Sequence, residues 1–199
     1  MSVLSALERS LGADGVLVLA GLVLVVALTA IHLLRRGGAG RVADTLATLG
    51  LAVAIVGVVV VTLRPNGIGA EPALRRLILD PVLGASDGHG RTVWRPLVEN
   101  VALFVPVGAL AAARFPGRGL RVLLAAVVLS IAIESAQYVL PIGRIANSAD
   151  VIANAAGAAI GVLGDRVVAA LTGTRRAPRR RHGTKATLTM PGSRAANRS

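Results

Sequence analysis

The sequence predicts an all-α, polytopic membrane protein with five transmembrane helices, a short interfacial helix in a long outer loop, and a disordered basic C-terminal tail. Two observations carry this. The 199 residues are 54% hydrophobic with a mean hydropathy of +0.69, too apolar for a soluble domain of this size. The apolar residues also gather in five runs, each close to the ~20 residues that cross a ~30 Å hydrocarbon core. The net charge of +12 sits between those runs and in the tail. With only 2% aromatic residues there is no stacking face for bases, so no nucleic-acid partner is expected. Cysteine is absent and the three histidines are scattered. No metal and no cofactor is expected.

The first run spans Gly15 to Leu34. Its basic flank, Arg35 and Arg36, follows it, whereas a cleaved signal peptide carries basic residues in front; the run reads as a retained span. Leu46 to Leu63 is the second. In the connection from Arg64 to Pro96, Glu71 to Asp80 places Leu74, Leu77 and Ile78 on one side and Arg75, Arg76 and Asp80 on the other. That pattern predicts an amphipathic helix on the membrane surface. Leu97 to Ala113 is the third span, Leu120 to Leu140 the fourth and Asp150 to Leu171 the fifth. From Thr172 the chain lacks apolar periodicity and reads as disordered. The organisation is therefore a two-helix segment (1–63), an outer loop (64–96), a three-helix core (97–171) and a tail (172–199).

Five spans put the termini on opposite sides. Basic residues then choose the side, since cytoplasmic segments are enriched in Lys and Arg. A cytoplasmic C-terminus gives fourteen basic residues inside and seven outside, so the N-terminus is expected outside. Trp94 and Tyr138 then fall near the outer interface, where such side chains anchor. The composition, rich in Ala, Val, Leu, Gly and Arg, fits a bacterial source, and the expected location is the bacterial cytoplasmic membrane.

The polar residues inside the spans are the functional candidates. Glu134 and Gln137, three apart, share a helix face that Ser130 extends, and Asp150 and Asn154 lie four apart. A carboxylate inside an apolar span costs about 2.5–3.5 kcal/mol on insertion scales and normally faces a bundle interior or cavity. With Asn100 opening span three and Arg144 in the turn before span five, these groups converge near the outer side. Glu134 lies about 9 Å deep. Gly108, Gly157, Gly161 and Gly164 read as close-packing positions. Pro106 is expected to kink span three, and Asp165 and Arg166 to snorkel or neutralise each other.

Asn100-Val-Ala-Leu-Phe-Val-Pro-Val-Gly108, Ser130-x-x-x-Glu134-x-x-Gln137, Arg144, and Asp150-Val-Ile-Ala-Asn154-Ala-Ala-Gly157-x-x-x-Gly161 together resemble the VanZ-like family of small bacterial membrane proteins. The resemblance covers about residues 97–165. It implies a link to the cell envelope, the founding member being associated with resistance to the lipoglycopeptide teicoplanin. Members often carry further acidic residues between the arginine and the motif aspartate. Here Asn147 and Ala149 stand in that stretch, which argues against a metal site.

Three functions fit. The first is recognition of an outer-leaflet amphiphile: an anionic or undecaprenyl-linked lipid, or a lipoglycopeptide. Arg144 would meet phosphate or carboxylate, Asn100, Gln137 and Asn154 would bond sugar or amide groups, and Glu134 and Asp150 would complete the site. The second is an intramembrane hydrolase or transferase with Glu134 and Asp150 as acid and base. No serine or cysteine nucleophile with a histidine partner supports it, so the balance leans away from an enzyme. The third is a structural or regulatory subunit, self-associating or bound to another membrane protein through its glycine stripe. The bland reading of Gln137, Asn154 and Asn100 is interhelical glue worth about 0.6 kcal/mol each.

Overall fold

The computed structural model describes residues 3–64, 77–78, 94–140 and 146–174, with backbone alone for 3–17 and 77–78. Five helices account for nearly all of it: α1 (Val3–Arg36), α2 (Gly40–Thr62), α3 (Trp94–Arg114), α4 (Gly119–Val139) and α5 (Ser148–Leu171). Each contains a segment long and apolar enough to cross a membrane. In α1 that segment is Val18–Arg36, close to the run expected, while the helix itself reaches back to Val3. Helix α2 starts earlier than its apolar run because Asp44, in its second turn, is paired with Arg35 at 2.6 Å.

The turns explain where the helices stop. After α1, the Gly38 N–H bonds to the Arg35 carbonyl and the Ala39 N–H to that of Leu34. Gly38 sits at φ 85°, the left-handed position that glycine enters without a Cβ penalty. After α5, Gly173 at φ 68° repeats the pattern, with Gly173 N–H on Ala170 and Thr174 N–H on Ala169. At α5's other end, Asn147 is the N-cap, and its side-chain oxygen accepts from the Ala149 N–H at 2.9 Å. The Asn147 side chain thus starts the helix.

Helix α3 is the spine and α5 lies parallel against it. The approach is close because glycine removes the side chains between them. A Cβ on Gly157 would collide with the Val101 carbonyl, and one on Gly108 with that of Ala158. One on Gly161 would collide with the Val105 carbonyl and lie 2.6 Å from the Ala109 nitrogen. Gly164 differs from the expectation: it is exposed, and a Cβ there meets nothing within 4 Å. The buried stripe of α5 winds around the helix, from Ala149 and Ala153 to Val162 and Asp165, and by Gly164 it has turned away. Helix α3 runs unbroken through Pro106, which has no N–H to give the Ala102 carbonyl.

Helices α1 and α2 pack on the same spine. Leu28, Ile31, Ala43 and Ala47 share one buried cluster with Ala109, Leu110 and Ala113. A second cluster joins Val58 of α2, Phe104 of α3, Ile133 of α4 and Ala158 of α5. Large apolar side chains point outward, among them Leu22, Val53, Val128 and Leu171, as a lipid-facing surface requires.

One expectation is revised at two residues. Of the interfacial helix foreseen over Glu71 to Asp80, Leu77–Ile78 form an extended pair, parallel to Ala146–Asn147. Pairing gives the backbone groups ahead of α5 partners that no helix supplies there. The rest of that segment lies outside the described residues, as do Arg144 and the tail beyond Thr174.

Candidate functional site

The start of α5, the end of α4 and the end of α2 meet at one end of the bundle. Five of the sequence candidates lie here: Glu134 and Gln137 on α4, Asp150 and Asn154 on α5, and Asn100 near the start of α3. Glu134 is buried on α4, and its Oε2 accepts the Asn147 N–H at 2.7 Å. Its carboxylate therefore sits at the N-terminus of α5, where the partial positive charge of the helix favours an anion. That interaction explains why an acid stands here despite its insertion cost. Asp150 lies in the first turn of the same helix and gains from the same field.

Gln137, 5% exposed, donates through Nε2 to the carbonyl of Thr62 at 3.1 Å. Thr62 is the last residue of α2, so its carbonyl lacks an intrahelical partner, and Gln137 fastens α4 to α2 by supplying one. Deeper in, the Asn154 Nδ2 donates to the Ser130 hydroxyl at 2.8 Å. Both residues are almost completely buried. Asn154 Oδ1 has no partner among the described residues. Asn100, half-buried on α3, makes no side-chain hydrogen bond among them either. Glu99 is drawn outward into an exposed ion pair with Arg95 at 2.9 Å, of the kind worth about 0–1 kcal/mol.

The polar end thus holds two kinds of group. Glu134 and Gln137 bond to backbone groups at neighbouring helix ends. Asn154 and Asn100 retain hydrogen-bonding capacity that the described residues leave unused. The contribution of α2 through a main-chain carbonyl was invisible in the sequence, because any residue could have supplied it.

The opposite end holds a network that the sequence reading missed. His32 Nε2 lies 2.8 Å from Asp165 Oδ1, and both residues are buried. The other ring nitrogen is 3.0 Å from the Thr174 hydroxyl, which also reaches the Ala169 carbonyl at 3.2 Å. Asp165 therefore pairs across to α1 and not with Arg166, which is exposed. The available signal was a lone histidine inside an apolar run and an aspartate inside another, both too costly to bury singly. Arg36 adds a bond to the Thr172 carbonyl at 3.1 Å, and Arg114 one to the Thr48 hydroxyl at 2.8 Å. The described residues contain no group of three or more metal-ligating side chains.

Comparison with known proteins gives a match to the family model described as VanZ/LLP1 over residues 51–168. The match covers more than half of the chain and reaches back beyond the motifs into α2. No curated protein matches, and no solved structure matches.

Proposed function

The chain belongs to the VanZ/LLP1 family and is a multi-pass membrane protein. From that premise we propose that its polar end recognises an amphiphilic cell-envelope molecule: an anionic or undecaprenyl-linked lipid, or a lipoglycopeptide of the teicoplanin type. The observation that carries this is Asn154, 2% exposed, whose Oδ1 has no partner among the described residues. A buried acceptor left unpaired costs about 1–3 kcal/mol, and a ligand donor such as a sugar hydroxyl or an amide repays it. Asn100 offers a second unspent amide on the neighbouring helix. Arg144, between α4 and α5 in sequence, supplies the cation for phosphate or carboxylate. A role in glycopeptide resistance or envelope homeostasis follows if that ligand is a cell-wall precursor or the drug itself.

The orientation belongs to the same proposal. Arg35, Arg36, Arg41, Arg114, Arg118, Arg121 and Arg166 gather at the end opposite the polar cluster. The positive-inside rule makes that end cytoplasmic and turns the polar cluster outward. Because the chain has no cysteine, single cysteines at Gly117 and Leu140 would report the sidedness by membrane-impermeant labelling of intact cells.

The test of function is native mass spectrometry of molecules carried through purification, wild type against Glu134→Gln and Asn154→Leu. A discrete lipid phosphate, glycolipid or added teicoplanin held by the wild type and lost in the variants is the expected result. Equal retention in all three, or none in any, overturns the reading.

A further inference from the structure

Helices α2 and α4 flank α3 and are tied together at the polar end through Gln137 and Thr62. Toward the basic end they separate, leaving a cleft of about 400 Å³ over α3. Its walls are Leu51 and Ile55 on α2 and Ala125 and Leu129 on α4, with Ala111 and Phe115 beneath. Arg118 and Arg121 form its lip. Ala111 in the floor and Ala125 and Ala126 in the α4 wall are too small to fill the space between the helices. From Arg121 to Leu129 it follows α4 for about 12 Å.

The two arginines are the informative part. Three described arginines at this end are engaged: Arg35 with Asp44, Arg36 with the Thr172 carbonyl, Arg114 with Thr48 and over the Phe115 ring. Arg41 and Arg166 have no acidic partner among the described residues, but neither lines the cleft. Among the described residues Arg118 and Arg121 have no acidic partner. Arg118 is also the N-cap residue of α4, so the first N–H groups of the helix, which have no intrahelical acceptor, lie at the same end of the cleft. An apolar slot ending in two unpaired cations matches an acyl chain ending in a phosphate.

We propose that this cleft binds one anionic phospholipid of the leaflet at the basic end, an acyl chain lying between α2 and α4 and the headgroup phosphate on Arg118 and Arg121. The site is separate from the polar cluster in residues and in leaflet. It accounts for a helix pair left apart in a membrane, where lipid fills what side chains do not.

The test titrates the purified protein in detergent with dioleoyl phosphatidylglycerol and, separately, dioleoyl phosphatidylcholine, counting bound lipids by native mass spectrometry. Wild type should hold one phosphatidylglycerol at least about tenfold more tightly than phosphatidylcholine, given two basic residues at the headgroup. The double variant Arg118→Gln/Arg121→Gln, on exposed positions, should bring phosphatidylglycerol down to the phosphatidylcholine level. Ala125→Phe, which fills the slot from an exposed position, should remove the bound lipid while the protein still elutes as a folded species. In Glu134→Gln the phosphatidylglycerol that depends on Arg118 and Arg121 should still bind, so that a lipid lost in that variant alone belongs to the polar end and not to the cleft. Equal retention of the two lipids by the wild type, or full retention of phosphatidylglycerol by the arginine variant, overturns the proposal. So does a dimer lost in Ala125→Phe while lipid binding persists, since the slot would then belong to a second copy.

Discussion

Placing an alanine at Gly161 tests the parallel contact between α3 and α5 with a single methyl group. The added Cβ would overlap the Val105 carbonyl and sit 2.6 Å from the Ala109 nitrogen, where ordinary contact begins at 3.4 Å. Both obstacles are backbone, so no side chain can rotate away. The helices must part by about 1 Å, and a gap of 0.5–1 Å forfeits a quarter to a half of each dispersion contact it opens. Overpacking of this kind costs about 1–3 kcal/mol. Helix propensity pulls the other way, since alanine is better than glycine in a helix by about 1 kcal/mol. Gly164→Ala isolates that opposing term: the position is open and lies on the same helix. The expected order of thermal stability in detergent, read by loss of the monodisperse chromatographic peak on heating, is Gly164→Ala at or above wild type and Gly161→Ala clearly below. Gly157→Ala should fall with Gly161→Ala because Val101 blocks it in the same way. Equal midpoints for Gly161→Ala and Gly164→Ala would show that α3 and α5 do not touch as described.

The other expectations concern polar groups. Glu134→Ala should lose about 1–3 kcal/mol by stranding the Asn147 N–H, whereas Glu134→Gln, which keeps an acceptor, should stay within about 1 kcal/mol of wild type in the same heating assay. Ser130→Ala should destabilise by a similar amount, since it removes the one described partner of the buried Asn154 amide. In a double-mutant cycle, His32→Ala and Asp165→Ala should couple by about 0.5–3 kcal/mol, and a value near zero would remove the bond between α1 and α5.

The spans were legible because hydropathy is a local property and each helix carries its own signal. The Gly157 and Gly161 contact was legible too, since a small residue every fourth position makes one smooth face. Gly164 belongs to the same periodic series, yet a Cβ there would meet none of the described residues within 4 Å. Sequence spacing tells which residues share a face and not where the neighbouring helix stops. The same limit hid His32 and Asp165, which are 133 residues apart. Each was visible alone as an expensive residue, and only the packing of α1 on α5 shows that they meet. Gln137 was read as a side chain seeking another side chain or a ligand. Its partner is a main-chain carbonyl, which leaves no trace in residue identity. The extended pair at Leu77–Ile78 also escaped, because an amphipathic pattern of ten residues competes with pairing to a distant segment that pattern analysis cannot see.

The polar end can be divided by asking which groups the fold requires. Glu134 serves the start of α5 and Gln137 serves the end of α2, and a protein needing only five packed helices would keep both for those reasons. Asn154 is different. Its amide nitrogen is used by Ser130, but leucine with alanine at position 130 would fill the same space with no unpaired oxygen, and such a swap of a buried polar pair is often neutral or better. A packing argument therefore predicts that Asn154→Leu combined with Ser130→Ala is at least as stable as the wild type. If it is, and envelope-ligand retention is nonetheless lost, the cost of burying that oxygen serves recognition. If the double variant is stable and retains the same molecules, the amide is only glue and the recognition proposal fails at the residue that motivates it.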